Sequence, residues 1–184
     1  MVPADWPGLA RPGPATAVAP VRPADAVGRE RVSVQDSSGR RLAAVIKVLS
    51  PSNKRRQVEF QDLLLKSVHL LDSGVGLLVV DPFPPRRHDP KGFHTAFWQE
   101  LTRERADPPP RGKPLTVASY APDGDGECSA YVTPIAVGDD LPDPPLFLRP
   151  GLAVRVPLGA TYDQAWAGYP HQLRRLVEDL PSPP

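Results

Sequence analysis

Apolar and polar residues alternate from Arg31 to Asp36 (RVSVQD), the pattern of a half-buried strand. "SSGR", Ser37 to Arg40, signals a turn, and Leu42 to Leu49 reads as a longer, more apolar strand. Together they predict a β-hairpin. Ser50 and Pro51 end it, since proline cannot donate to a ladder, and Ser52 or Asn53 is suited to cap a helix beginning there. Phe60, Leu63, Leu64, Val68 and Leu71 then lay one apolar stripe down a helix over Arg56 to Leu71. Gly74 suits its left-handed C-terminal position. "GLLVV", Gly76 to Val80, is a short continuous apolar run, as in a central strand covered on both faces.

Past the Pro82–Pro90 loop, Phe93, Ala96, Phe97 and Leu101 recur at helical spacing, predicting a second helix from Gly92 to about Glu104. Pro114 to Tyr120 and Ser129 to Ala136 read as two strands joined by the turn "PDGDGE". Gly138 to Pro150 reads as a proline-rich crossing segment, and Arg155 to Leu158 as a short strand. Thr161 is placed to cap a helix containing Ala165 and Trp166, with Pro170 breaking or restarting it before Leu173 to Leu180. The order is β-β-α-β, then helix, strands and a helical tail, which predicts a mixed α/β (α+β) domain. Its expected core is Val45, Leu49, Phe60, Leu64, Val68, Leu71, Leu78 and Val80.

Composition sharpens the boundaries. Proline takes 26 of 184 positions, so regular elements must fall in proline-poor windows. Residues 1–27 are rich in Pro, Ala and Gly and read as an extended or disordered arm. One globular domain is expected over 28–180, with a short tail at 181–184. The formal net charge is +1, so an electrostatic partner must be sought in local patches. The single cysteine, Cys128, allows no intrachain disulfide, which suits a reducing cytoplasm, the expected location. The opening residues do not read as a signal peptide, and no apolar run approaches the ~20 residues of a membrane helix, so no membrane partner is expected.

Candidate chemistry is sparse. Arg40, Arg41, Lys47, Lys54, Arg55 and Arg56 fall between Asp36 and Glu59 with no acid among them. Such a cluster suits phosphate contacts, with nucleic acid as a partner through Arg40, Arg41, Lys54, Arg55 and Arg56, or else a solvated hairpin tip and helix entrance. "DGDGE", Asp123 to Glu127, lacks the further ligands of a calcium loop and reads as a hairpin turn. His69, His88, His94 and His171 show no metal-ligand spacing. Lys47 shares a strand face with Val45 and Leu49, and the simplest hairpin register places it opposite Glu30, a partner for a half-buried cation.

"VSVQDSSGRRLAAVIKVLSPSNK", a helix and "SGVGLLVVD" resemble the core of a bacterial family, domain of unknown function 4058. "KPLTVASY", "AYVTPIAVGDDLPDPPLFLRPG" and "VPLGATYDQAW" are similar to its C-terminal layout, so the resemblance runs from about residue 29 to residue 169. The strand before "LSPSNK" is also similar to that of Uma-two-type proteins of the PD-(D/E)XK restriction-endonuclease-like superfamily. That likeness implies a hairpin–α–β core on which an Asp and a Glu of adjacent strands hold a divalent metal and a lysine assists the attacking water.

Against that pattern the chain departs at the ligands. Lys47 stands where the family has its metal-ligating glutamate. The upstream Pro-Asp strand is unrecognisable; "RPAD", Arg22 to Asp25, is its nearest relic. Asp36 is kept, but six steps of about 3.3 Å put it about 20 Å from the far end of the hairpin. Lys54 matches the family's "NK". The degenerate positions Asp36, Lys47 and Lys54 point to a non-catalytic binding or structural module without a cofactor. The alternative is a Mg²⁺-dependent DNA endonuclease using other carboxylates, such as Asp25, Glu59 or Asp81.

Overall fold

Alternation and stripe become five strands and two covering helices in the computed structural model, which describes residues 31–122 and 128–179. Strand β1 (Arg31–Gln35) pairs antiparallel with β2 (Leu42–Val48). A 3₁₀ turn (Pro51–Lys54) and helix α1 (Gln57–Asp72) carry the chain to β3 (Gly76–Asp81), which pairs parallel with β2. A loop and helix α2 (Gly92–Thr102) lead to β4 (Leu115–Pro122) and β5 (Cys128–Ile135). The sheet order is β1-β2-β3-β4-β5, mixed in direction. A second hairpin, β6 (Pro145–Arg149) and β7 (Leu152–Arg155), is followed by α3 (Leu158–Ala167) and α4 (His171–Glu178).

Strand alternation divides the core in two. Val45, Leu49, Leu77, Val79, Ala118 and Tyr120 face α1 and α2. Ala44, Leu78, Val117 and Leu146 meet on the opposite face, under the second hairpin. Helix α1 buries Phe60, Leu63, Leu64 and Leu71, each contributing about 1.5–3 kcal/mol by leaving water. It ends at Gly74, whose φ of 73° lets the Val75 N–H close back on the Leu70 carbonyl. Phe97 of α2 meets the buried Tyr120 ring edge-on at 4.8 Å. Hairpin β6–β7 lies so close to β3 that a Cβ on Gly76 would overlap the Phe147 carbonyl oxygen. The absent side chain is what allows that approach.

Several expectations shift in detail. Gln35 pairs with Leu42, but a bulge between Val34 and Gln35 moves the rest of the hairpin by one residue. Lys47 therefore sits opposite Arg31 rather than Glu30, which lies outside the described residues. The segment 138–150 contains strand β6, and its partner is Leu152–Arg155 rather than Arg155 to Leu158. The prolines at 144 and 145 are no obstacle because this two-stranded sheet leaves edge positions that need no donor. Thr161 lies inside α3, which starts after Pro157, and its hydroxyl donates to the Pro157 carbonyl. Val68 and Val80 are partly buried rather than core. The arm at 1–27 and the turn 123–127 lie outside the described residues.

Candidate functional site: a buried lysine between two aspartates

The carboxyl ends of parallel strands β2 and β3 form the most chemically distinctive place in the fold. Pro51 stops β2, and the Ser50 N–H donates to Asn53 Oδ1 at 2.9 Å, tightening the 3₁₀ turn. The turn delivers Lys54 beneath the end of β3 rather than into solvent. Its side chain is 0% exposed. Nζ donates to Asp81 Oδ2 at 2.7 Å and to the Phe83 carbonyl at 2.9 Å. Asp89 Oδ2 lies at the same 2.7 Å but off the hydrogen-bond direction, so that contact is coulombic.

Each aspartate is held from its own side. Asp81 is the last residue of β3, and its Oδ1 accepts from the Phe83 N–H at 3.4 Å. Asp89 Oδ1 accepts from the Arg86 N–H at 2.7 Å, and the Asp89 carbonyl accepts from the Gly92 N–H at 2.8 Å, just ahead of α2. One ammonium thus serves two carboxylates that are 4% and 0% exposed. Burial pushes the Asp81 carboxyl above its ordinary value; the Lys54 hydrogen bond and charge oppose this, and the neighbouring Asp89 adds to it.

The other sequence candidates are dispersed. The sequence groups Lys54 with the surface phosphate contacts; the structure corrects this, because its whole side chain is enclosed and ion-paired. Arg40 and Arg41 are exposed at the hairpin tip, while Arg55 and Arg56 are exposed at the entrance of α1. The seven-residue β2 lies between the two pairs, a span of about 20 Å at ~3.3 Å per residue, so they form no single patch. Asp36 is spent on its turn: Oδ1 accepts from Ser38 Oγ at 2.7 Å and the Arg40 N–H at 3.2 Å. The Ser38 hydroxyl is the main reason its carboxyl is held below the usual range. Lys47 is half-buried on the helix-facing side of β2.

Glu59, in the first turn of α1, takes no part in the Lys54 cluster, and Asp25 lies outside the described residues. Neither are the histidines gathered: His88 Nδ1 is 3.1 Å from Gln57 Oε1 and His94 Nδ1 is 2.9 Å from the Tyr120 hydroxyl. Asp89 is the residue that sequence reasoning misses. Its signal is "DPFPPRRHDP", a loop that carries an acid at each end. Loop acids of that kind are usually solvated, so the fold alone reveals the convergence.

A Mg²⁺ ion asks for near-octahedral oxygen ligands at about 2.0–2.1 Å. Here the point where two carboxylates converge is filled by the chain's own ammonium. Among the described residues no group of three or more His, Cys, Asp or Glu side chains gathers to hold a metal. In this arrangement the residues do not fit the ion. No helix among the described residues is long and apolar enough to cross a membrane. No protein-family model, no curated protein and no solved structure matches the chain.

Proposed function

We propose that this chain is a catalytically degenerate, restriction-endonuclease-like domain that serves as a binding or structural module. The observation that carries the reading is Lys54. Its ammonium lies 2.7 Å from both Asp81 Oδ2 and Asp89 Oδ2, so an internal cation occupies the point between the carboxylates a metal would need and offsets part of their charge. Lys47, at the position where the resemblance calls for a ligating glutamate, brings a second positive charge in place of a ligand. The β-hairpin–α–β order and the placement of Asp81 at the end of β3 support the nuclease-like ancestry.

A second reading, a metal-dependent nuclease, has one observation in its favour: two carboxylates do converge on one point beside Lys54. Cleavage of supercoiled and single-stranded DNA with Mg²⁺ or Mn²⁺ separates the two. The module predicts no metal-dependent cleavage by the intact chain. Cleavage that disappears in Asp81→Asn would overturn it. DNA binding measured in parallel at two salt concentrations tests the exposed arginines, since phosphate contacts weaken steeply with salt. Absent or salt-insensitive binding removes nucleic acid as the partner.

A further inference from the structure

Beside the Lys54 cluster, the first turn of α2 opens on a cavity of about 280 Å³. Its floor is the helix-facing side of β4 and β5, where Thr116 pairs across with Asp81 on one side and Pro134 on the other. Thr116 is 6% exposed. It lines the cavity, and its hydroxyl makes no hydrogen bond among the described residues. The residue is mostly enclosed while its hydroxyl stays open to the cavity, so that hydroxyl is available to a ligand there.

His94 supplies a second polar group. Tyr120 is fully buried, and among the described residues its hydroxyl meets His94 Nδ1 alone, at 2.9 Å. Burial pushes the Tyr120 hydroxyl well above its ordinary value, so it keeps its proton and has His94 Nδ1 as its acceptor. That assigns the imidazole proton to Nε2. Burial also lowers the His94 pKa, favouring the neutral ring. The ring lines the cavity, and the Nε2–H is its remaining donor.

Charge at the rim has a sign. Lys91 is exposed at the N-cap of α2 and forms no ion pair among the described residues. The helix start has no side-chain cap and no acid in its first turn, and the nearest carboxylate, Asp89 just ahead of it, is turned to Lys54. Val132 on the floor is apolar, and so is the opposite wall of Pro108 and Pro109. That wall is tied to α2 by the Thr95 hydroxyl, which donates to the Asp107 carbonyl at 3.1 Å. Asp107 is the one acid among the described lining residues, at the exposed mouth, where its charge opposes a dianion about twice as strongly as a monoanion.

We propose that this cavity binds a small organic monoanion, its carboxylate met by Lys91, His94 Nε2–H and the Thr116 hydroxyl, and its compact apolar body lying against the prolines and Val132. The proposal stands apart from the nuclease-like reading and survives if that reading fails. Titration of the intact chain with benzoate, isobutyrate and inorganic phosphate, followed by amide NMR shifts, tests it. Benzoate or isobutyrate is expected to saturate shifts at His94 and Thr116, with phosphate at least tenfold weaker. Lys91→Ala, an exposed substitution, and Thr116→Val, nearly isosteric, should each weaken binding about five- to tenfold, the loss of one charge-assisted or buried hydrogen bond. Unchanged amide dispersion in both variants shows that they remain folded. No saturable shift up to about 20 mM, far above the ~1 mM of a weak site, overturns the proposal. So does binding that neither variant weakens, or phosphate binding as tight as benzoate.

Discussion

Replacing Lys54 with methionine keeps most of the side-chain volume and deletes the charge. The ammonium's partners are Asp81 Oδ2, Asp89 Oδ2 and the Phe83 carbonyl, and all three would lose it inside a site that is 0–4% exposed. Removing one partner of a buried ion pair costs about 3–5 kcal/mol, most of it from the charge left uncompensated. With an m-value of about 2 kcal/mol/M, the urea midpoint should fall by about 2 M. Equilibrium unfolding followed by tryptophan fluorescence measures it, with the half-buried Trp98 on α2 as a reporter near the site. The triple variant Lys54→Met, Asp81→Asn, Asp89→Asn separates charge from packing. It leaves an amide oxygen to accept the Arg86 N–H and no stranded carboxylate. It should recover at least half of the lost stability. A loss below about 1 kcal/mol for Lys54→Met, the value of an exposed pair, would refute the enclosed ion pair. A triple variant as unstable as the single one would show that packing, not charge, is what Lys54 contributes.

Two other substitutions test separate parts of the structure. Gly76→Ala drives a methyl group into the Phe147 carbonyl, with its carbon 2.8 Å away, and backbone cannot swing aside as a side chain can. The cost should exceed the ~1–3 kcal/mol typical of overpacking, read as a lowered melting temperature; a change under about 1 kcal/mol would mean that β6 does not lie on β3 there. Asp81→Asn probes pH dependence. Because burial holds the Asp81 pKa above 3.8, the folded chain binds this proton more tightly than the unfolded chain does. From this group alone, stability falls as pH rises from 3.8 through the raised value, and is regained on acidification. The wild type should therefore gain on Asp81→Asn as pH drops from neutral toward that range, measured by urea midpoints at matched pH; a gap that moves the other way contradicts the raised pKa.

How much of the fold is legible in the sequence depends on which forces act locally. The hairpin, α1, β3 and α2 are written in short-range periodicity, and the stripe Phe60, Leu63, Leu64 and Leu71 is buried as its spacing predicts. The bulge at Val34 and Gln35 carries no such mark, and a single extra residue changes the partner of Lys47 from Glu30 to Arg31. Strand β6 is hidden because Pro145 within it and the flanking Pro144 and Pro150 suppress a strand signal that only an edge or a two-stranded ladder tolerates.

Lys54 is the case in which local reading runs the wrong way. Between Asn53 and Arg55 it reads as one more surface cation, and charge runs are usually solvated. Its burial depends on residues 27 and 35 positions further along the chain, Asp81 and Asp89, and on a 3₁₀ turn that aims the side chain inward. No window around Lys54 contains those acids. The same remoteness links the two lysines. A glutamate at the Lys47 position would add a third carboxylate to the strand ends that already hold Asp81, and the lone ammonium of Lys54 would then face still more negative charge. With lysine there instead, Lys54 faces two carboxylates and not three. On the degenerate reading, the loss of the ligand at Lys47 leaves Lys54, a lysine the resemblance shares, as the cation inside the remaining carboxylate pair. Lys47→Glu should then cost little in a chain that can bind Mg²⁺ and more in one that cannot. Melting Lys47→Glu with Mg²⁺ and with a chelator distinguishes these: a metal-dependent rise in melting temperature marks a site that still accepts the ion, and none marks one that has become fully structural.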